Sequence, residues 1–310
     1  MAGHPRRRIL DIVGILVTLA SCAFVGKILI QYWQMPTAID GYALAAPVIG
    51  LSVVYLGALV SVSAAWHQLL KWSGCRHISL LRSILIIGLT EIQKYIPTNV
   101  VHLVGRYLQA TKNGATGREV GLSSVAEVGL IAFTGMAFAI FGNVDYLANA
   151  THVAAPVWWI ALVVCFVPLV FWRTTGRLVS HFELFRTLDW SERGRLSVLI
   201  SLACYAIFFL ISGGIIFVLL LTLGPPSVTL NFLSVVSVAA LAWVLGFAVP
   251  GSPGGLGVRE AVLVFVLSSS VGAVPMGLIA IAYRGVTLLG DLWFFLICTF
   301  AARLIQRRAA

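Results

Sequence analysis

An all-α polytopic membrane protein is the fold class this sequence predicts: six full transmembrane spans, two broken, re-entrant helical hairpins, and an inverted repeat within one transmembrane domain covering 1–310. Three observations predict it. Hydrophobic residues make up 60% of the 310 and charged residues only 10%, with a mean hydropathy of +0.99, against about 25% charged in a soluble globular chain. Apolar runs recur along the whole length, each near the roughly 20 helical residues that cross a hydrocarbon core of about 30 Å. Finally, the basic residues fall in clusters between those runs.

Arg6, Arg7 and Arg8 precede the first run, 9–30. That run is long for a signal peptide and no small-residue cleavage site follows it, so it reads as a retained first span. Spans at 42–66, 120–141, 156–172, 196–223 and 278–302 follow, with Trp33, Trp66, Trp158, Trp159 and Trp172 near their ends, where amphipathic rings favour the interface. Two further apolar regions are interrupted. Region 80–110 contains "EIQKYIPTN" (Glu91 to Asn99), and 232–271 contains "VPGSPGGLGVREAVLV" (Val249 to Val264).

The signs of the loops set how these regions thread. Most of the 21 Lys and Arg residues form five clusters: the N-terminal one, Lys71 to Arg82, Arg106 to Arg118, Arg173 to Arg195 and Arg303 to Arg308. The connections 31–41, 142–155, 224–231 and 272–277 contain neither residue. By the positive-inside rule the clusters and both termini are cytoplasmic and the bare loops external. Region 80–110 has a basic cluster at each end and is expected to dip in from the cytoplasm and return. Region 232–271 has bare loops at each end and is expected to dip in from outside, although its first arm is nearly long enough to cross. Halves 1–145 and 155–310 then share one order (span, span, broken hairpin, span) with opposite starting sides. That is the pattern of an inverted repeat whose broken helices meet at a substrate site.

The interruptions carry the chemistry. Pro250 and Pro253, with Gly254, Gly255 and Gly257, cannot continue a helix, and non-helical backbone at membrane depth must be buried in protein or line a wet cavity. Arg259 and Glu260 open the next helix, whose N-terminus attracts anions, and Arg259 adds a planar donor fork suited to phosphate. The plainer alternative is a turn in which Glu260 satisfies the helix dipole. In the first hairpin Pro97 breaks the helix, while Glu91 and Lys94 share a face, either as a neutral pair or as substrate ligands; Tyr95 lies beside them. Arg106 either joins them or anchors the returning arm at the interface. Glu127, Arg284 and Asp291 are stranded within spans, where each costs on the order of 3 kcal/mol, so they are expected to face the bundle interior. Arg284 and Asp291 lie seven apart, slightly far for a direct pair. Glu127 and Arg284 are expected to line one polar path, the alternative being simple interhelical pairing.

Catalytic signals are poor. The six histidines form no HExxH motif, the five cysteines are scattered, and no metal site or cofactor is indicated. No nucleic-acid partner is expected, because the net charge of +10 is laid out as loop clusters. The Asn149–Thr151 glycosylation sequon is expected in an external loop.

"PGGLGVREA" (Pro253 to Ala261), "KYIP…VGRYL" (Lys94 to Leu108) and "YRGVT" (Tyr283 to Thr287) together resemble the membrane region of bacterial lysylphosphatidylglycerol synthases, over nearly all of the chain. The resemblance implies a flippase-like lipid translocase of the bacterial cell (inner) membrane rather than an enzyme. It assigns Gly254, Gly255, Gly257, Arg259 and Glu260, and with them Lys94, Pro97, Arg106 and Arg284, to the headgroup. These 310 residues are not expected to include the soluble aminoacyl-transferase domain, which makes a separate lipid-modifying enzyme a candidate partner. Thr98 stands after Pro97 where family members often carry glycine. The expected cargo is a lipid with a phosphate-bearing headgroup. The alternatives are export of a hopanoid or polyprenyl-linked glycolipid, an embedded polyprenyl-phosphate transferase, or an ion-coupled solute carrier with Glu127 and Asp291 as coupling residues.

Overall fold

The computed structural model describes residues 41–95, 101–151, 154–226, 230–249 and 252–309. The expected first span, 9–30, and the breaking residues Pro97 and Pro250 lie outside them. The described residues form α-helices and short 3-10 turns, with no strand among them.

Helix α1 (Gly41–Trp72) has 32 residues, about 48 Å at 1.5 Å per residue, and is apolar up to its last two turns, which carry His67, Gln68 and Lys71. Ser79 then caps α2 (Leu80–Glu91) through its side chain, which accepts from Arg82 N, and a 3-10 turn (Ile92–Tyr95) ends that arm. Helix α3 (Val101–Lys112) is the returning arm. Helix α4 (Gly117–Thr151) follows, then the short α5 (Ala155–Val170) and α6 (Trp172–Val179). Helix α7 (Glu192–Leu223) leads to the second interrupted region. There α8 (Phe232–Ala248), a 3-10 turn (Pro253–Gly255) and α9 (Val258–Val271) precede the long α10 (Ala273–Ala309).

Among the described residues four helices are long and apolar enough to cross a membrane: Leu44–Trp72, Gly117–Gly142, Glu192–Leu223 and Ala273–Arg307. They match the expected spans 42–66, 120–141, 196–223 and 278–302 and overrun most of their ends, because a helix can continue past the apolar run wherever its charged end residues reach water. The fourth expected span, 156–172, is not one full-length helix. Pro168 interrupts its hydrogen-bond ladder, and at Phe171 the backbone leaves helical geometry (φ −95°, ψ 40°). What remains is a 16-residue helix, about 24 Å long. Two bare connections also differ from expectation. Helix α4 runs through 142–151, so the sequon lies in its last turn rather than in a loop. The 272–277 loop shrinks to Gly272, whose φ of 90° turns the chain directly from α9 into α10.

Helix α1 packs along α7, α8 sits between α4, α7 and α9, and α10 lies against α1, α2 and α9. Small residues set these approaches, as expected where lipid supplies no hydrophobic driving force between helices. A Cβ on Gly213 of α7 would fall 2.5 Å from Val236 Cα of α8, and Ser201 Oγ donates to Ala65 O of α1 at 3.0 Å. Tyr205, Phe209, Trp66, Leu69 and Leu219 fill the buried centre, while Val53, Leu221, Phe265 and Phe300 point outward as a lipid-facing surface would. At one end, Trp72, Trp172 and Trp190 cluster in tilted and edge-on contacts, with ring centroids 4.8–6.0 Å apart.

This packing positions the site by bringing the two interruptions together. The 3-10 turn of the first touches that of the second, and a Cβ on Gly254 would lie 3.2 Å from the Tyr95 ring.

Candidate functional site

A cavity of about 330 Å³ opens where the interruptions meet. Glu91, Lys94 and Arg106 line it from the first region, Arg259, Gly254 and Gly255 from the second, and Glu127 from α4. Aromatic side chains complete the wall, Trp243 among them. A second cavity, between Trp72, Phe133, Pro168 and Trp190, has an almost wholly apolar lining and offers no headgroup chemistry.

The second interruption depends on glycine. Gly254, Gly255 and Gly257 adopt φ of 59°, 71° and 80°, a left-handed region in which a Cβ is strained. Their turn delivers Val258 into α9, and Glu260 caps that helix by accepting from Gly257 N at 2.7 Å. The helix end therefore already holds a carboxylate, as the plainer reading of the sequence has it. Glu260 also faces Arg284 Nε at 3.6 Å, and Arg284 donates to Gly254 O at 3.1 Å. So Arg284 braces the glycine turn from outside the cavity wall.

Arg259 differs from every other cation of the cluster. Its guanidinium lies 5.2 Å from the Trp243 ring centroid, and among the described residues no carboxylate lies within 4 Å of it and Nε has no hydrogen-bond partner. Trp243 can stabilise the cation through its ring face without neutralising it. A half-buried guanidinium that lines the cavity and meets no acceptor among the described residues is suited to an anion that arrives from elsewhere.

The first interruption is crowded with opposite charges. Lys94 Nζ lies 2.8 Å from Glu91 Oε1 and 2.9 Å from Asp291 Oδ2, and Tyr95 donates its hydroxyl to Asp291. Glu91 and Lys94 thus form the pair their spacing suggested, but Asp291, 196 residues from Tyr95, joins them from α10. Arg106 is only 3% exposed and pairs with Glu127, which is 7% exposed, while Trp66 lies beneath the guanidinium. The Arg106 side chain thus points into the bundle, where α3 packs on α4, rather than outward from the returning arm. Arg284 and Asp291, seven apart, do not pair with each other, as their spacing implied. Nor does Arg284 share a cavity wall with Glu127; it is held by Glu260 and Gly254 instead. Pro253 lies in the 3-10 turn, while Pro97 and Pro250 fall outside the described residues. Among the described residues no group of three or more His, Cys, Asp or Glu could hold a metal.

Sequence reasoning missed Trp243, Gly246 and His102. Trp243 had a signal: it stands in the middle of an apolar run, whereas Trp33, Trp66, Trp158, Trp159 and Trp172 lie near span ends. His102 lines the cavity but makes no described polar contact at Nδ1, and a lone histidine carries no such signal.

The family model of the lysylphosphatidylglycerol synthase TM region matches residues 11–294, most of the chain. No curated protein matches it.

Proposed function

The chain belongs to the lysylphosphatidylglycerol synthase transmembrane-region family, and on that premise we propose that it is a lipid translocase. It moves a lipid with a phosphate-bearing headgroup between the leaflets of a bacterial cytoplasmic membrane and carries out no covalent chemistry. The observation that supports this most directly is Arg259, a cation without a described carboxylate partner, facing a cavity that Gly254 and Gly255 of the glycine turn also line. Headgroup oxygens would meet its donor fork, with Gly254 and Gly255 allowing close approach, while the lipid tail stays in the bilayer. Arg106, Lys94 and Arg284 would hold the walls in place through Glu127, Glu91 and Glu260.

In this reading α2–α3 and α8–α9 are re-entrant hairpins of two inverted halves, 1–145 and 155–310, and the span-length helices with the shorter α5 surround them, with both termini cytoplasmic. A separate lipid-modifying enzyme would supply the cargo. The test is transfer of a labelled anionic phospholipid across proteoliposomes by the purified protein. Arg259→Ala is expected to lower transfer at least about 100-fold, the order lost when a buried charge-assisted pair is removed, and Arg259→Lys to retain part of it. Normal transfer by Arg259→Ala at equal insertion would reduce the turn to a structural one. Turnover of an activated sugar or aminoacyl donor by the protein alone would replace the translocase with an embedded transferase.

A further inference from the structure

The described charges around the cavity balance in number but not in place. Lys94, Arg106, Arg259 and Arg284 face Glu91, Glu127, Glu260 and Asp291. Arg106 takes Glu127 and Arg284 takes Glu260, whereas Lys94 is shared by Glu91 and Asp291. One carboxylate is therefore in surplus beside Lys94, and one cation, Arg259, is in surplus across the cavity.

The surplus carboxylate is deeply placed. Asp291 is 0% exposed, its Oδ2 accepts from both Lys94 and Tyr95, and its Oδ1 has no hydrogen-bond partner among the described residues. A net negative charge at such a place is costly, and the site is relieved when a cation binds. A metal cation would need several oxygen ligands around it. One free oxygen beside an ammonium provides too few and adds repulsion, but it is enough for a proton.

We propose that Asp291 Oδ1 is a proton site and that its occupancy is coupled to the anionic headgroup at Arg259, so that a proton and a lipid monoanion bind together. This rests on the translocase reading. With the proton in place, Lys94 pairs with Glu91 alone and Tyr95 remains on Asp291. When the headgroup neutralises Arg259, the cavity loses its compensating positive charge and the surplus carboxylate gains affinity for the proton, which comes from solvent. By linkage the proton strengthens headgroup binding by the same factor. The titratable and charged groups around Asp291 are Tyr55 from α1, Glu91 from α2, Lys94 and Tyr95 from the 3-10 turn, and Arg284 on its own helix, itself held by Glu260 of α9.

The experiment is infrared spectroscopy of the purified full-length protein, titrated between about pH 4 and pH 9, a range that brackets ordinary and raised carboxyl values. It is repeated with an anionic phospholipid added. The expected result is a carboxylic-acid band that disappears with rising pH, moves to higher pH when lipid is added, and is missing in Asp291→Asn. Glu91→Gln removes the surplus by the other route and is expected to lose the band too, which covers a failure of the first variant to fold. In a parallel binding assay, wild-type affinity for the lipid should fall towards about tenfold per pH unit above the titration point, with a flattened slope in Asp291→Asn. No titrating band in the wild type, or one kept in both variants, overturns the proton site; a band indifferent to lipid overturns the coupling. If the band titrates while no lipid is transferred, the translocase reading fails and the proton site stands. Transfer of lipid without any titrating band has the opposite meaning.

Discussion

Two glycines from different segments press on the stem of Arg259, and this fixes what a single added methyl group does. A Cβ on Gly246 of α8 would fall 2.5 Å from Arg259 Cγ, and one on Gly255 would fall 2.5 Å from its Nε. Both exclude a side chain for the same steric reason, but only Gly255 also needs a left-handed φ, of 71°. Gly246→Ala and Gly255→Ala are both expected to displace the guanidinium from Trp243 and lower lipid transfer about tenfold or more, the cost of losing roughly 1–2 kcal/mol of a buried charged contact. Gly255→Ala should in addition lower thermal stability, by about 1 kcal/mol or more, because of its backbone. Gly50→Ala and Gly121→Ala meet open space and are the controls. Retained transfer in both test variants, measured in proteoliposomes at matched insertion, would detach Arg259 from the mechanism. At this scale the sequence was only partly legible. Pro and Gly marked the turn and Arg259 stood out beside it, but no spacing rule links Gly246 to Arg259 or Tyr95 to Asp291, because those contacts exist only after the helices have packed.

The secondary structure was more legible, since each interruption announces itself chemically. Glu91 to Asn99 and Val249 to Gly257 are the places where apolar runs acquire proline, glycine or charge, and both divide two helical arms. Helix ends were less legible: α4 continues to Thr151 through residues that read as loop, because nothing in 142–151 forbids helical geometry. The junction between α6 and α7 also escaped. There Asp189 N donates to Trp72 O at 2.8 Å, and its carboxylate accepts from Arg76 at 2.7 Å and from Ser191 N at 3.0 Å, fastening the α6–α7 connection to the end of α1. Burial pushes the Asp189 carboxyl up, but hydrogen bonds from Ser191 and then Arg76 outweigh it and hold it below the usual carboxylate range. A carboxyl depressed in the folded state contributes stability above its unfolded value and loses it as pH falls through the folded one. Asp189→Asn is therefore expected to be less stable than wild type at pH 7, by about 1 kcal/mol given that the pair is solvent-facing, with the difference closing towards about pH 3. Thermal melts at the two pH values check it, and a gap that persists in acid would assign the loss to packing instead.

For the whole molecule, the contact between the two interruptions bears on the proposed inverted halves. Neither hairpin arm of the first region is long enough to cross alone: α2 and α3 have 12 residues each, about 18 Å, against a core of about 30 Å. Basic residues flank that region on both sides, from Arg82 before it to Lys112 and Arg118 after it, so returning to the side of entry keeps every cationic cluster on one face. The connection 142–155 then belongs to the opposite face, since α4 spans between them. Single cysteines replacing Asn113, just past α3, and Tyr146, late in α4, are expected to react with an impermeant thiol reagent from opposite sides, the first only after the membrane is opened. A native-cysteine-free background is needed, because Cys75 lies near the same end, though its burial there pushes the thiol up and slows it. Labelling of both positions from outside would mean that 80–110 crosses once. The later connections would then invert, the two halves would no longer be related by opposite orientation, and the meeting of Tyr95 with Gly254 would be a local contact rather than the junction of a repeat.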